Sequence, residues 1–401
     1  MNRVFYGWVV VGGAFTALFM AYGAQYSFGV FFSVLLEEFG WSRAGLAGVF
    51  SLYAFLYGIF SLGSGRLTDR WGPRAVITIG GVLLGVGLAS MSQVRELWHP
   101  YVLYGVVAAL GMSTTYVPCN STVVKWFVKQ RGLAVGVASS GGGLGTFALP
   151  PFAYALVDAL GWRQAYLVFG AGLFVIMSLA ATVMKRDPET VGLAPDGEAR
   201  HPVPVTARGE VHWPLGRAIR TAPFWMLFGV FAATWIPVFV PLIHAVPLAR
   251  DLGIPPLLAS TVVSVMGISA VTGRLVMGGL SDRIGRKSAL AISMTLQVLA
   301  FVGFTAVGGL AALYLVSAGF GFSYGAVSAL FPAIVGDFFG REQAGSLVGF
   351  LFALAGSMAA WGPVGAGAIY DATGSYAWAF ILSAASNGLA LGLLALARPP
   401  R

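Results

Sequence analysis

Charged side chains are scarce in this 401-residue sequence. Asp, Glu, Lys and Arg together make up 10% of it, and hydrophobic residues make up 57%. A soluble globular domain carries about 25% charged residues, so the composition excludes a protein of that class. It predicts a protein that crosses a membrane several times and has the lipid bilayer as its main surroundings.

Cysteine and histidine are scarce as well. The single cysteine, Cys119, excludes an internal disulfide. The four histidines are scattered along the chain, so we expect no metal-binding cluster. No nucleophile–base pair is recognisable either. We therefore expect no metal ion, no other cofactor and no enzymatic activity.

The sequence does contain many long apolar runs. Runs of about 20 apolar residues mark membrane helices, and twelve of them predict an all-α membrane protein with twelve transmembrane helices. The first run lacks a small-residue cleavage site, so we interpret it as a membrane helix and not as a signal peptide. The predicted helices, numbered 1 to 12 in chain order, cover residues 7–34, 45–66, 74–92, 100–123, 132–157, 163–184, 222–248, 257–280, 288–308, 310–335, 345–369 and 376–397.

The net charge of +9 has its origin in where the cations stand along the chain. Nineteen of the 24 Lys and Arg residues lie at one set of helix ends, the cation-rich ends, and only four lie at the opposite ends. Loops rich in Lys and Arg face the cytoplasm. The pattern therefore predicts that both termini are cytoplasmic, and it indicates no nucleic-acid partner.

The only long polar segment is the linker 185–221, which is rich in Pro and Gly. We expect a flexible or partly helical cytoplasmic connector without a binding site. A membrane sensor would need a cytoplasmic output domain, and this linker is too short to be one.

The two halves of the chain repeat each other at one constant offset in the numbering. The repeat predicts two six-helix halves, residues 1–184 and 222–401, joined by the linker 185–221. Such a duplication with a central site is typical of secondary transporters. The matching landmarks are Gly65–Arg74 with Gly278–Lys287, Gly132 with Gly345, Gly136 with Gly349, Pro150 with Pro363, and Asp158 with Asp371.

Arg274 is a permanent cation inside an otherwise uncharged apolar run. An arginine deep in a bilayer costs about 2.5–3.5 kcal/mol on insertion scales, and it cannot lose its proton. The residues four positions before and after it are Ala270 and Gly278, so no acid lies one helical turn away. An anion that comes and goes would explain this charge, and a carboxylate matches the guanidinium fork. The structural alternative is an arginine paired with helix-end carbonyls or with a distant acid.

Several segments resemble a known family. The loops Gly65–Arg74 and Gly278–Lys287 resemble the two signature loops of the major facilitator superfamily. Within it, KWFVKQRGLAVGVASSGGGLG (Lys125–Gly145) resembles the helix-5 signature of the monocarboxylate transporter family, and YGW (Tyr6–Trp8) partly matches its helix-1 signature. FGWSRAGLAGVFSLY (Phe39–Tyr53) is typical of the bacterial members.

The resemblance implies a monomeric transporter in the inner membrane of a bacterium. It would move a small monocarboxylate such as lactate or pyruvate by alternating access, together with a proton. Arg274 stands where the family carries its substrate-binding arginine.

Three departures from the family pattern bear on the substrate and on the proton. The aspartate that proton-coupled members carry one turn before the arginine is replaced by Ala270, and the helix-1 lysine of the animal members by Tyr26. The related oxalate/formate exchangers carry a second intramembrane cation in helix 11, which this sequence lacks. One fixed charge favours a monoanion over a dianion. An anion exchanger of the oxalate/formate type is the alternative.

By resemblance, helices 1, 4, 7 and 10 line a central cavity. Polar side chains on three of them, several paired one turn apart, are therefore candidate substrate contacts. The alternative for each pair is packing between helices. The candidates are Tyr22, Gln25 and Tyr26 on helix 1, Tyr116 and Asn120 on helix 4, and Tyr324 and Ser328 on helix 10.

His244 is the only histidine inside a predicted membrane helix. A histidine titrates in the range that suits a proton carrier, so His244 is our candidate for proton coupling and for substrate contact. The alternative is a helix-end histidine hydrogen-bonded to a carbonyl.

The signature loops carry a repeated Asp–Arg pair, Asp69–Arg70 and Asp282–Arg283. We interpret these four residues as conformational latches and not as substrate ligands. Charge contacts between the halves at the cytoplasmic face would favour one access state, and breaking them would shift the equilibrium.

Overall fold

The computed structural model describes residues 5–41, 43–197, 213–359 and 361–400. Within these ranges the regular structure is helical, and twelve helices are long and apolar enough to cross a membrane. The predicted all-α architecture with twelve membrane helices is thereby confirmed. Residues 198–212 of the predicted linker lie outside the described residues.

Ten of these helices run without interruption in the described part of the chain. Most extend a few residues beyond the predicted ends, because polar residues continue a helix once its apolar stretch has formed. Their bounds are Tyr6–Phe39 (helix 1), Arg43–Trp71 (2), Pro73–Ser90 (3), Arg131–Leu160 (5), Trp162–Thr182 (6), Ala222–Asp251 (7), Pro256–Ile284 (8), Arg286–Thr305 (9), Leu310–Phe339 (10) and Ala377–Leu396 (12).

Helices 4 and 11 are interrupted. Helix 4 runs from Trp98–Pro100 through a π-helical stretch, Tyr101–Ala108, to Ala109–Ser113, and it resumes at Tyr116–Trp126. Helix 11 consists of Ala344–Met358 and Trp361–Thr373. A proline follows each break, Pro118 in helix 4 and Pro363 in helix 11. Proline lacks an N–H donor and clashes with the carbonyl four residues earlier, which fits the break in helix 4, where that carbonyl belongs to Thr114.

A single glycine connects the helices at each signature loop. Gly72 separates helices 2 and 3 with φ 83°, and Gly285 separates helices 8 and 9 with φ 88°. Only glycine adopts such angles without steric cost. The two glycines stand at matching positions of the two halves, so the repeat in the sequence corresponds to a repeated tight connection.

The chain divides into two compact units. Unit 1 comprises Met1–Lys129, Val137–Glu210 and Arg341–Ala353, and unit 2 comprises Gln130–Gly136, Val211–Gly340 and Leu354–Arg401. Each unit therefore contains most of one predicted half, without the first turns of that half's helix 5 or helix 11, together with the first turns of helix 11 or helix 5 from the other half. The boundaries of the predicted halves stay a prediction.

Repeated glycines allow these first turns to pack closely. In unit 1, a Cβ atom on Gly65 would lie 2.2 Å from the carbonyl oxygen of Gly345. In unit 2, a Cβ atom on Gly278 would lie 2.6 Å from the carbonyl oxygen of Gly132. The glycines that the internal repeat matches therefore lie at two equivalent helix contacts. Helix 2 contacts the start of helix 11 in unit 1, and helix 8 contacts the start of helix 5 in unit 2.

Helices 8 and 10 form a tight contact in unit 2. A Cβ atom on Gly273 would lie 1.9 Å from the carbonyl oxygen of Phe322, and one on Gly325 would lie 1.9 Å from that of Ala270. No side chain fits at either position. Small residues at such contacts let two membrane helices approach backbone to backbone, and this approach determines which side chains of helix 10 Arg274 can reach.

We predict that Gly273→Ala lowers the thermal unfolding temperature of the detergent-solubilised protein, because overpacking costs about 1–3 kcal/mol. Gly267 on the same helix is the matched control, since a Cβ atom there meets nothing within 4 Å. Gly267→Ala should leave the unfolding temperature unchanged or raise it, because alanine favours helix by about 1 kcal/mol. Equal unfolding temperatures for the two variants would contradict the proposed close contact.

Candidate functional site

Arg274 lies within helix 8 and is almost completely buried, with 8% of its surface exposed. Its Nε atom donates a hydrogen bond to the Ser328 hydroxyl at 3.1 Å. The guanidinium carbon lies 5.7 Å from the centre of the Tyr324 ring, which is a cation–π distance. Sequence reasoning singled out all three residues, and unit 2 brings them together.

Among the described residues, Arg274 has no acidic partner. It forms no ion pair with any of them, and its two terminal nitrogens make no hydrogen bond to them. Ser328 engages only the Nε side, and its own hydroxyl donates to the carbonyl of Gly325 at 2.7 Å. The terminal fork, which is the part that matches a carboxylate, therefore stays available to a ligand.

Ala270, the position of the family's missing aspartate, is buried against helix 10. Its backbone forms part of the close contact with Gly325. The protein thus has an apolar helix contact one turn before Arg274, at the position where the family resemblance leads one to expect an acid.

Asn120 and Tyr116 lie on the last segment of helix 4 in unit 1. Asn120 is fully buried: its amide nitrogen donates to the Tyr116 carbonyl at 2.9 Å, and its amide oxygen accepts from the Ser139 hydroxyl on helix 5 at 2.9 Å. This arrangement matches the packing alternative for Asn120. The Tyr116 ring lies 4.8 Å from the ring of Phe352, so it has an aromatic neighbour on helix 11.

The polar residues of helix 1 contact tyrosines that sequence reasoning missed. The hydroxyls of Tyr22 and Tyr57 lie 3.2 Å apart. The Gln25 side chain accepts from the Tyr53 hydroxyl at 3.5 Å. Tyr53 and Tyr57 are one turn apart on helix 2, and this spacing could have identified them. Tyr26, the third candidate of helix 1, is 38% exposed.

His244 is held by two hydrogen bonds in unit 2. Its Nε2 atom lies 3.1 Å from the carbonyl oxygen of Pro363, and its Nδ1 atom lies 3.2 Å from the Tyr376 hydroxyl. A carbonyl only accepts, so Nε2 carries the proton, and Nδ1 of the neutral ring accepts from the tyrosine. The Tyr376 ring stacks on Tyr370 at 4.3 Å, and the Tyr370 hydroxyl donates to Asp251 at 3.1 Å.

Asp69 binds the beginning of helix 11 in unit 1. One carboxylate oxygen accepts both the backbone N–H and the hydroxyl of Ser346, each at 2.7 Å. The other accepts from Lys125 at 2.8 Å. The first N–H groups of a helix have no partner within the helix, and the helix dipole favours a negative charge there.

Asp282 repeats this arrangement in unit 2 at the beginning of helix 5. Its two oxygens accept from the backbone N–H groups of Gly132 and Leu133, both at 2.9 Å. Arg286 forms an ion pair with the same carboxylate at 2.6 Å. The two aspartates of the signature loops therefore perform equivalent local roles.

The sequence-based prediction named Arg70 and Arg283 as latch residues together with the two aspartates but did not identify the cations that pair with these aspartates. They are Lys125 and Arg286, whereas Arg70 and Arg283 are exposed and form no ion pair within the described ranges. Successive residues on a helix point about 100° apart. An arginine that directly follows a buried aspartate consequently faces away from the aspartate's partner.

Comparisons with known proteins agree over nearly the whole chain. The family model described as Major Facilitator Superfamily matches residues 14–244 and 233–401. The chain is 32% identical to monocarboxylate transporter 11 of Mus musculus, covering 94% of this chain and 84% of that protein. It is 29% identical to monocarboxylate transporter 4 of Rattus norvegicus, covering 95% of this chain and 80% of that protein.

Solved structures are similar in fold. A crystal structure of the transporter FucP in the outward conformation superposes with a TM-score of 0.73 at 14% identity, covering 99% of this chain and all of that one. The human organic anion transporter MFSD10 superposes with a TM-score of 0.72 at 16% identity, covering 97% of this chain and 99% of that one.

We predict that Asp69→Asn makes the backbone amides at the start of helix 11 exchange with deuterium at least about tenfold faster. Losing a hydrogen bond to a charged group costs about 1.5–3 kcal/mol, and about 1.4 kcal/mol corresponds to a tenfold change in an equilibrium. Asp282→Asn should have the same effect at the start of helix 5. Asp158→Asn is the control, because Asp158 is exposed and has no bonding partner among the described residues. Unchanged exchange in all three variants would contradict the capping role.

Proposed function

Because this chain belongs to the major facilitator superfamily and, within it, to the monocarboxylate transporter family, we propose that this secondary transporter moves small monocarboxylates such as lactate or pyruvate by alternating access and together with a proton. Its relatives are transporters and not enzymes. The chain is a multi-pass membrane protein with twelve spans.

The environment of Arg274 is the observation that carries this proposal. A carboxylate that enters the membrane loses its water, and a guanidinium replaces that water through two parallel charge-assisted hydrogen bonds. Ser328 fixes the Nε side of Arg274 while the terminal nitrogens lack partners among the described residues. We propose that the substrate carboxylate binds to this fork, and that Ser328 acts mainly by orienting the arginine.

The remaining candidates have supporting roles in this proposal. Tyr324 would contact the substrate beside Arg274, since its ring already faces the guanidinium. Tyr22, Gln25, Tyr26 and Tyr116 remain candidate substrate contacts through their hydroxyl, amide and aromatic groups, and Asn120 would keep helix 4 in place against helix 5.

We further propose that the cation-rich ends face the cytoplasm of a bacterial cell and that the monomer is functional. The excess of Lys and Arg at these ends supports this orientation. Asp69 and Asp282 then act as cytoplasmic latches, whose contacts with helices 11 and 5 break and form again during each cycle.

His244 is our proposed proton carrier. It is a histidine inside a membrane helix, a residue type that commonly serves as a proton shuttle, and Ala270 stands where the family resemblance leads one to expect an aspartate. In the neutral state the ring is fully hydrogen-bonded. Protonation of Nδ1 would require the Tyr376 hydroxyl to turn from donor to acceptor, which couples the proton to the contact between helices 7 and 12.

Uptake of radiolabelled acids into proteoliposomes tests the proposed function. We expect an inward proton gradient to drive accumulation of lactate, and oxalate to be transported at least about tenfold more slowly. Burying a second carboxylate without a partner costs several kcal/mol, and a tenfold change requires only about 1.4 kcal/mol. Oxalate uptake equal to lactate uptake, dependent on an internal anion and not on the gradient, would favour the exchanger instead.

We expect Arg274→Lys to weaken substrate binding at least about tenfold, since lysine keeps the charge but loses the bidentate fork. Ser328→Ala should weaken binding less, because the fork remains. Arg66→Lys serves as control, since Arg66 is exposed at the end of helix 2. Substrate affinity of Arg274→Lys close to that of the unmodified protein would remove Arg274 as the carboxylate ligand.

His244→Gln should reduce gradient-driven accumulation more than it reduces substrate binding. Glutamine can donate to the Pro363 carbonyl and accept from Tyr376, but it cannot carry a proton at neutral pH. The measurement compares accumulation with equilibrium binding in the same variant. If His244→Gln retains full gradient-driven accumulation, the histidine is structural, and the proton travels with the substrate or through an acid such as Asp251 or Asp337.

A further inference from the structure

The first described part of the linker has a defined fold. We refer to residues Asp187–Gly197 as the strap. Asp187 begins it and accepts a hydrogen bond from the backbone N–H of Thr190 at 3.0 Å, which caps the short helical turn Pro188–Val191. Gly192, with φ 76°, ends that turn, and a second turn follows at Pro195–Gly197. The expectation of a connector without a site does not anticipate this organisation.

The C-terminal end of the strap is anchored to the loop after helix 4. The Asp196 carboxylate accepts from the backbone N–H groups of Val128 at 3.0 Å and Lys129 at 2.9 Å. Asp196 itself has a positive φ of 58°, which is uncommon for a residue other than glycine. Aspartate tolerates this conformation better than most residues, and the two hydrogen bonds to Val128 and Lys129 hold it there.

Two family-like motifs hold the segments that flank the strap. The Trp126 indole donates to the carbonyl of Lys185 at 3.0 Å, and the Tyr6 hydroxyl donates to the carbonyl of Val183 at 3.0 Å. A Cβ atom on Gly197 would lie 2.9 Å from the Phe5 ring, which packs in turn on Trp126. The aromatic residues of the YGW and KWF motifs thus serve to dock the linker.

Glu189 connects the strap to helix 11. Its two carboxylate oxygens accept from both terminal nitrogens of Arg341, in the bidentate geometry of a strong charge-assisted pair. Arg341 stands three residues before helix 11 begins, and it also donates to the Lys125 carbonyl at the end of helix 4 at 3.1 Å. The Arg341 side chain therefore connects the strap and helix 4 to the start of helix 11.

We infer that the strap is a third latch, which holds the start of helix 11 on unit 1 through Glu189–Arg341 and must release when that start leaves during the transport cycle. Residues Arg341–Ala353 belong by sequence to the second half but pack in unit 1. The Glu189–Arg341 pair is not repeated at the matching position, which is Val128 and carries no charge; the start of helix 5 is instead paired in unit 2 through Arg131 and Asp337. An additional latch on unit 1 shifts the equilibrium between two access states towards the state it stabilises.

Alkylation of a buried cysteine tests this inference without any substrate, so the result does not depend on the proposed monocarboxylate transport. In a Cys119→Ala background, Val348→Cys places a thiol on the first turns of helix 11, at a fully buried position. We expect Glu189→Gln to raise the rate of labelling by N-ethylmaleimide at least about threefold. The ion-pair swap, Glu189→Arg with Arg341→Glu, should return the rate towards that of the parent.

Two controls separate release of the strap from general loosening. Glu37→Gln removes an exposed acid that has no bonding partner among the described residues, and it should leave the Val348→Cys rate unchanged. Val262 is an equally buried valine in the core of unit 2. The thiol of Val262→Cys should be labelled at the same rate whether or not Glu189→Gln is present. The inference is overturned if the thiol of Val348→Cys is labelled at the same rate with and without Glu189→Gln. It is also overturned if Glu189→Gln accelerates the labelling of Val262→Cys as much as that of Val348→Cys.

Discussion

A permanent positive charge inside an apolar helix is the constraint around which unit 2 is arranged. Arg274 cannot lose its proton, and its local partner is a neutral hydroxyl, Ser328. The glycines at 273 and 325 bring helix 10 so close to helix 8 that this hydroxyl reaches Nε. An acid in the place of Ser328 would neutralise the arginine permanently. A serine orients the guanidinium and leaves its charge without a fixed counter-charge, and under the proposed function a ligand that arrives and departs neutralises it.

The opposite arrangement recurs at the cation-rich ends, where fixed negative charges meet helix N-termini. Asp69 and Asp282 each accept backbone N–H groups of a helix from the other half of the sequence, and each has a cation beside it. These contacts require close backbone approach, which Gly65 and Gly278 permit. Water can replace a carboxylate at the N–H groups of a helix N-terminus, and under the proposed function these contacts break and form again during each cycle.

Much of this architecture could be predicted from the sequence, because its signals are local or repeated. Apolar runs predicted twelve helices, and a constant offset predicted that Asp69 and Asp282 are equivalent. An isolated cation marked Arg274. The partners of the aspartates could not be predicted, since Lys125 and Arg286 reach them only once helices pack in three dimensions. The sequence also left open whether Asn120 faces a cavity or helix 5, because one-turn spacing is equal in both cases. Asp187 and Gly192 are local signals for the first turn of the strap, but its anchoring could not be predicted because it depends on contacts with distant residues.

Calorimetric titration of the purified protein with propionate and with propionamide tests most directly whether Arg274 binds the substrate carboxylate. The two ligands have nearly the same shape, and only propionate carries a charge. We expect propionate to bind at least about tenfold more tightly, as one charge-assisted bidentate contact implies, and we expect this preference to disappear in Arg274→Gln. Equal binding of the two ligands, or a preference for propionate that survives in Arg274→Gln, would contradict the account.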